Sequence, residues 1–377
     1  MMPPFRLPQP VAQAVARAVA HPFAPAGFFF AGVTWDAVTL TEIDYWLDDV
    51  ILLAYFVVVG ALIVLTARAG HGPRHAGAVE ALGQPTPGSW ESRARPYYPA
   101  VIHFFMGSLF SAQSIFYLHS ASLSTTSVFL VMLVGLLVTN EFLLERVYGL
   151  HVLIALYTVV CFSFVTFMLP VMTGRLNTAI FLLGAVLTVG IALGLVHLVH
   201  LRNPDRSWRQ TVLAGWPAPA LVGILVGFYF LNWIPPVPLS LKSGGLYHQV
   251  TKRDGAYELQ FERSAWYQFW KRSDDPFHGE GPAYCFTAVY APLRLHGTIY
   301  HRWQRRQPNG EFVQTDRIGM AIAGGREGGY RGYTVKQRLD PGDWRVDVET
   351  AEGRLIGRVS VRVEPAAGPL EWATIVD

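Results

Sequence analysis

An ionisable side chain inside an apolar run costs more than almost any other residue a membrane chain can carry, and its default reading is functional. Glu141 is such a residue, preceded by Asn140 near the end of a long apolar stretch. Glu145 follows four residues on, on the same face of a helix, with Arg146 beside it. One reading makes the carboxylate part of a polar path between helices, meeting His103 or Tyr117 from the preceding apolar run. The other places all three charges at the membrane interface, with Arg146 pairing locally. His197 and His200 are three apart and could reach one metal, but no HExxH signature or carboxylate partner accompanies them. They read as interfacial histidines, and neither a metal nor a cofactor is expected.

A third candidate is "AIAGGREGGYRGYT", Ala321 to Thr334. A phosphate loop joins a strand to a helix, whose N-terminus supplies the electrostatics. This stretch lies between two β-like segments, with no helical period after it and no Gly-Lys-Ser/Thr ending, which argues against a nucleotide site. Gly324, Gly325, Gly328 and Gly329 read as a long hairpin connection that needs positive φ. Arg326, Tyr330, Arg331 and Tyr333 would then form an anion- or partner-binding tip.

The elements that must position these residues are mostly membrane helices. The chain has 377 residues, of which 51% are hydrophobic and 15% charged, against about 25% charged in an ordinary soluble domain. A span takes about 20 apolar residues. Candidates run over 47–67, 99–119, 125–144, 150–173, 176–200 and 212–234, about six spans. Gly190 with Gly194, and Gly223 with Gly227, form GxxxG spacings that permit close helix packing. "IPPVPLSLKSGGLYH" then ends the membrane part, because proline cannot continue a helix.

Beyond it the period changes to two. In "GDWRVDVETAEGRLIGRVSVRVE", Trp344, Val346 and Val348 alternate with polar residues, "AEG" turns the chain, and Val359, Val361 and Val363 alternate again. That is a hairpin with one buried face. About six to eight such strands suggest an antiparallel, immunoglobulin-like sandwich. The expected domains are an N-terminal interfacial segment 1–46, a transmembrane helical bundle 47–234, a linker 235–246 and a β-sandwich 247–377.

Charge sets the orientation. Arg68, Arg74, Arg93, Arg95, Arg146, Arg202, Arg206 and Arg209 fall on one side of the six-span arrangement. The other side has Arg6, Arg17 and Arg175, with Lys242, Lys252 and Arg253 at the start of the β region. Cytoplasmic loops are Lys/Arg-rich, so both termini are expected outside the cytoplasm. The net charge of +3, with no dense basic block, argues against nucleic acid. Cys161 and Cys285 are too few for a disulfide framework or a cysteine zinc site.

"GVTWDAVTLTEIDYWLDDVILLAY", "FFMGSLFSAQSIFYLHSAS", "TNEFLLERVYG" and the proline collar resemble a bacterial family of multi-span membrane proteins. The C-terminal part of that family is the domain of unknown function 2914 (DUF2914). "HRWQRR", "GGREGGYRGYTVKQ" and "PGDWRVDVETAEGRLIG" resemble that domain's core. The resemblance implies a bacterial inner-membrane protein of the cell envelope and brings no catalytic residues. No nucleophile elbow, kinase set or metal-hydrolase signature is present, so an enzyme is not expected. The leading expectation is an anchored β module that meets membrane lipids and binds an envelope protein or glycan. The alternatives are a transporter or channel using the site around Asn140 and Glu141, and a membrane enzyme acting on lipid-linked substrates.

Overall fold

The structure is a computed structural model. It describes residues 46–67, 97–120, 127–142, 150–202, 207–263, 272–279, 281–292, 295–324, 329–366 and 368–377, with single residues at 34 and 94. The helices are α1 (Trp46–Ala67), α2 (Tyr98–Ser120), α3 (Ser127–Phe142), α4 (Leu150–Thr173), α5 (Thr178–Arg202), α6 (Trp208–Gly215) and α7 (Pro217–Phe230). Among the described residues, five stretches are long and apolar enough to cross a membrane: Asp49–Ala67, Ala100–Tyr117, Leu150–Thr173, Thr178–Arg202 and Trp208–Phe230. The remaining expected span, 125–144, is the 16-residue α3.

These sequences are rich in β-branched residues yet helical. A helix satisfies every backbone polar group within its own segment, whatever its side chains, as a long apolar stretch requires. Asn177 caps α5, its Oδ1 accepting from the Ile180 N–H at 2.9 Å, and Ser207 caps α6. At the far end of α4, Gly174 adopts φ +65° and donates to the Pro170 carbonyl at 2.9 Å, a left-handed cap that closes the helix.

The chain divides into two compact units. One comprises Met1–Ile115, Val131–Val165 and Leu183–Gly227; the other comprises Phe116–Leu130, Thr166–Leu182 and Phe228–Asp377. In the first, α2 and α4 contribute mainly buried residues, while Val57, Val186 and Leu201 are among many exposed apolar side chains. Phe56 stacks on Tyr157 at 4.4 Å. The close helix approaches fall at Gly60, where a Cβ would meet the Tyr157 hydroxyl at 2.9 Å, and at Gly215, where it would meet Val196 at 2.9 Å. They do not fall at the GxxxG pairs. A Cβ on Gly190, Gly194, Gly223 or Gly227 meets nothing within 4 Å, because these glycines point outward from the described helices.

The second unit holds every described strand: β1 (Ser240–Tyr247), β2 (Gln249–Arg253), β3 (Ala256–Glu262), β4 (Phe277–His278), β5 (Ala283–Tyr290), β6 (His296–Arg306), β7 (Phe312–Ala323), β8 (Tyr330–Lys336), β9 (Gly342–Thr350), β10 (Leu355–Glu364) and β11 (Trp372–Val376). They form three sheets, ordered β1-β5-β8, β4-β10-β9-β6-β7 and β11-β3-β2. The first two share a core in which Leu246, Ala283 and Cys285 meet Trp303, Trp344, Val346, Val359 and Val361. Burial pushes the Cys285 thiol well above its ordinary value. The third sheet packs Tyr257, Leu259 and Phe261 around Phe286 and Tyr247.

Two expectations need correcting here. The described ends of the glycine-rich stretch lead into different sheets and not into one hairpin, since among the described residues β7 pairs with β6 and β8 pairs with β5. Its end glycines serve close approach. A Cβ on Gly324 would lie 1.6 Å from the Pro292 carbonyl oxygen, and Gly329 combines φ +84° with backbone contact to Val289. The β9–β10 hairpin is present in antiparallel register, Val359 opposite Val346, but β9 is buried on both faces. Asp347 and Glu349 are 0% and 2% exposed, because arginines from β6, β7 and β10 lie over them. Arg358 Nε sits 2.5 Å from Asp347 Oδ1, Arg317 Nε sits 2.7 Å from Glu349 Oε1, and Arg302 reaches both carboxylates at 3.1 Å. Buried carboxylates persist only when paired in this way.

Candidate functional site

Besides the arginine-covered Asp347 and Glu349, two further places in the second unit gather polar side chains from several elements. The first is a joint between helix ends and the β9–β10 turn. Glu352 in that turn accepts the Thr178 N–H through both oxygens at 3.0 Å and the Thr178 hydroxyl at 2.6 Å. Its negative charge therefore meets the positive end of the α5 dipole. Two residues on, Arg354 donates to the Tyr229 carbonyl and to Asn232 Oδ1 at 2.9 Å. Its guanidinium also lies 3.6 Å from the centre of the Tyr229 ring. A positive charge thus meets the negative end of α7. One turn caps two helices with opposite charges.

A small cavity of about 30 Å³ lies inside this joint, lined by Tyr117, Thr166, Tyr229, Glu352, Arg354 and the proline collar among others. That is room for a water or two, which suits a joint and not a substrate pocket. Tyr117, singled out in the sequence, is fully buried here and shares a hydrogen bond with Thr166 at 3.0 Å.

The second place is a row of alternating acids and imidazoles. His248 follows β1, Glu262 ends β3, Asp274 sits in the segment before β4, His278 is in β4 and Glu364 ends β10. Asp274 Oδ2 is 2.9 Å from His248 Nδ1. His248 Nε2 is 3.0 Å from the His278 carbonyl and 3.8 Å from Glu262 Oε1. Glu262 Oε2 is 2.6 Å from His278 Nδ1, and His278 Nε2 is 3.8 Å from Glu364. The order is Asp274, His248, Glu262, His278, Glu364.

Backbone contacts hold the row. Asp274 Oδ1 accepts the Glu262 N–H at 2.7 Å, and Glu262 Oε1 accepts the His278 N–H at 2.8 Å. His248 stacks on Phe277 at 4.1 Å. Burial pulls the His248 imidazole down, but its bonds to Asp274 and the His278 carbonyl and the nearby carboxylates outweigh it, and the net displacement is upward. Burial pushes the Asp274 carboxyl up, only partly offset by the bonds from His248 and the Glu262 N–H.

The sequence candidates are dispersed. Asn140 and Glu141 lie in α3, while Glu145, Arg146 and Arg326 fall outside the described residues. His103 is buried in α2. His197 is exposed, and His200 Nδ1 is engaged by the Thr211 hydroxyl at 3.1 Å, so the two are not aimed at one metal. Tyr330, Arg331 and Tyr333 lie within β8, not at a tip; Arg331 pairs with Asp377 at 3.1 Å, and Tyr333 is exposed. The acid–imidazole row went unread in the sequence because its members span five elements without a motif. The one local signal was Asp274 and His278 within "DDPFHG".

Comparison with known proteins bears on the β region. Residues 296–363 match the family described as Protein of unknown function (DUF2914). The DUF2914 segment contains the buried Asp347 and Glu349 with their arginines, and the Glu352–Arg354 joint; every member of the acid–imidazole row lies outside it. No curated protein matches the chain. Among solved structures, a Pseudomonas fluorescens alkylpurine DNA glycosylase bound to DNA containing an abasic site analog aligns over 74% of this chain and 83% of its own, at 9% identity and a TM-score of 0.22. Similarity that low carries no argument about fold or activity.

Proposed function

We propose that the chain is a non-enzymatic inner-membrane protein of the bacterial envelope. In this reading about six spans anchor an immunoglobulin-like β module on the extracytoplasmic side, where it binds an envelope protein or glycan. The observation that carries the reading is the joint, in which the DUF2914 segment caps α5 through Glu352 and α7 through Arg354. A module joined by paired charges to two helix ends is anchored at two points, as a presented binding surface requires.

The orientation is tested with Asn309→Cys in the β6–β7 turn of the full-length protein. Both native cysteines are buried, so an impermeant maleimide reads the new thiol alone. Labelling of cells with a permeabilised outer membrane and an intact inner membrane supports the reading; labelling only after lysis refutes it. The binding role is tested by in-cell photocrosslinking from position 333. One discrete adduct, lost with Arg331→Ala, supports it, and crosslinks to lipid alone refute it.

A second reading, a transporter or channel, is favoured by one observation. Gln113 in α2 is fully buried, and among the described residues both of its amide atoms lack a hydrogen-bond partner, as do the hydroxyls of Ser108 and Ser114. Unpartnered polar groups in a membrane interior are costly and can mark a path for a polar substrate. Loss of function at normal protein level in both Glu141→Gln and Gln113→Leu would favour this reading over the first.

A further inference from the structure

The five-stranded sheet turns one face to the core of Trp303, Trp344, Val346, Val359 and Val361, and its other face carries more positive charge than its acids neutralise. Arg358, Ser360 and Arg362 alternate along β10, opposite Asp347, Arg345 and Asp343 on β9. Arg302 and Gln304 on β6 stand opposite Asp347 and Arg345 in turn. With Arg306 and Arg317 at the β6–β7 side, six guanidinium groups (Arg302, Arg306, Arg317, Arg345, Arg358 and Arg362) meet three carboxylates (Asp343, Asp347 and Glu349). The surplus does not hang on titration. An arginine stays protonated, and a protonated acid would only enlarge the excess.

The surplus collects at Arg345. Each of the other arginines pairs with a carboxylate of this face, whereas Arg345 pairs with none among the described residues. Its Nε donates to Gln304 Oε1, and its guanidinium lies 4.1 Å from the centre of the Phe312 ring. The fork is thereby fixed while its terminal N–H groups stay uncommitted. Burial, and then the charges of Arg358 and Arg302, pull Arg345 below its ordinary value, and Asp347 offsets them only in part. An anion relieves that repulsion. Ser360 faces Arg345 directly across the strand pair with an exposed side chain, and Arg358 and Arg362 flank it at roughly 7 Å along β10. A hollow of about 550 Å³ is bordered by Ser360, Phe312 and Arg362, so a ligand can reach the hydroxyl. The acids of that hollow stand on the Arg362 side of Ser360. Asp343 is opposite Arg362, Glu364 is two residues further on, and Asp275 accepts the Arg362 N–H at 3.2 Å. The anion's place is therefore toward Arg358.

We infer that Arg345, Arg358 and the Ser360 hydroxyl bind the phosphate group of a phosphomonoester, with Arg302 adding its charge from β6. Arg358 keeps its Nε and Nη2 on Asp347 and offers Nη1, while Arg345 offers the terminal fork. Donors converging from two strands require acceptors in several directions. A phosphomonoester supplies three strong acceptor oxygens and about −1.5 to −2 of charge, whereas the two oxygens of a carboxylate lie in one plane and suit a single fork. A lipid headgroup and a soluble phosphate ester carry the same group, and the test separates them. The site belongs to a different sheet from Tyr333 and needs no partner of the β module there.

The full chain is purified in a non-ionic detergent and held in phosphate-free buffer at fixed, low ionic strength. It is titrated calorimetrically with inorganic phosphate, with acetate and with a short-chain phosphatidic acid, whose headgroup is a phosphomonoester. The expected result is one equivalent of phosphate bound, with acetate at least about tenfold weaker, since one fork satisfies it; this comparison needs no variant. Arg345→Gln should weaken phosphate binding about 10- to 100-fold, the range for a hydrogen bond to a charged group. It removes no ion pair, so it should melt with the wild type in phosphate-free buffer. Arg253→Gln, in the third sheet, should bind as the wild type does. Phosphatidic acid binding more tightly than inorganic phosphate, with the difference lost in Arg345→Gln, identifies a lipid headgroup. Equal or weaker binding of the lipid identifies a soluble ester. Saturable binding of neither ligand, acetate binding as tightly as phosphate, or unchanged affinity in Arg345→Gln would each overturn the site.

Discussion

Removing the Glu352 carboxylate should loosen the start of α5. Glu352 accepts the Thr178 N–H at 3.0 Å through both oxygens and the Thr178 hydroxyl at 2.6 Å. A hydrogen bond to a charged group contributes about 1.5–3 kcal/mol net, and a charge at a helix end adds about 0.3–1 kcal/mol. Glu352 is exposed, so water competes and the lower ends apply. Glu352→Ala should therefore cost about 1.5 kcal/mol, and Glu352→Gln, which keeps acceptors but not charge, about 0.5–1 kcal/mol. Hydrogen exchange on the full-length protein in nanodiscs reads the effect locally. The amides of 178–181 should exchange about tenfold faster in Glu352→Ala, as 1.4 kcal/mol is tenfold in an opening equilibrium, while those of β6 stay unchanged. Unchanged exchange at Thr178 would refute the capping argument, because its N–H is the one bonded to Glu352, whereas Ile180 keeps its own cap in Asn177.

Four further outcomes follow from the same physics. His301 is fully buried between the Thr287 and Thr334 hydroxyls, each at 2.9 Å, and burial lowers its pKa to about 4 from 6.5. The unfolded chain therefore binds the proton first as pH falls. The stability of the neutral form is complete above pH 6.5 and is lost toward pH 4, by about 3 kcal/mol in total; chemical denaturation of the wild type should show this fall, and His301→Gln should lack that part of it. Gly324→Ala should abolish folded protein, as its Cβ would lie 1.6 Å from a backbone oxygen, whereas Gly190→Ala should be tolerated, both read by yield and thermal melting. Asp347→Ala should cost roughly 3 kcal/mol by stranding Arg358 and Arg302, measured by urea unfolding. Arg354→Met should speed exchange at the end of α7 while leaving 178–181 unchanged, since its contacts are to Tyr229 and Asn232.

Local pattern made some of this legible and long-range pairing hid the rest. The β9–β10 hairpin could be read from Val346 opposite Val359 because a period of two is a property of the strand itself. The burial of Asp347 and Glu349 could not, since their cover comes from Arg302, Arg317 and Arg358 on three other strands. Gly324 and Gly329 marked a connection correctly, but a hairpin and a crossing between sheets use the same turn residues. Which sheet β8 joins is decided by β5, some forty residues upstream. Apolar length announced five long apolar helices, whereas the GxxxG pairs signalled contacts that the described helices make at Gly60 and Gly215 instead. Of the acid–imidazole row, Asp274 and His278 were visible as neighbours, and nothing in the chain could reveal that Glu262 stands beside them.

The joint also acts as a gauge. Glu352 and Arg354 are separated by one residue, yet they grip the start of α5 and the end of α7. A turn that short fits one axial offset between the two helices. Sliding either by a single helical turn, about 5.4 Å, opens one clasp while the other holds, and the β9–β10 hairpin is then pulled from one side only.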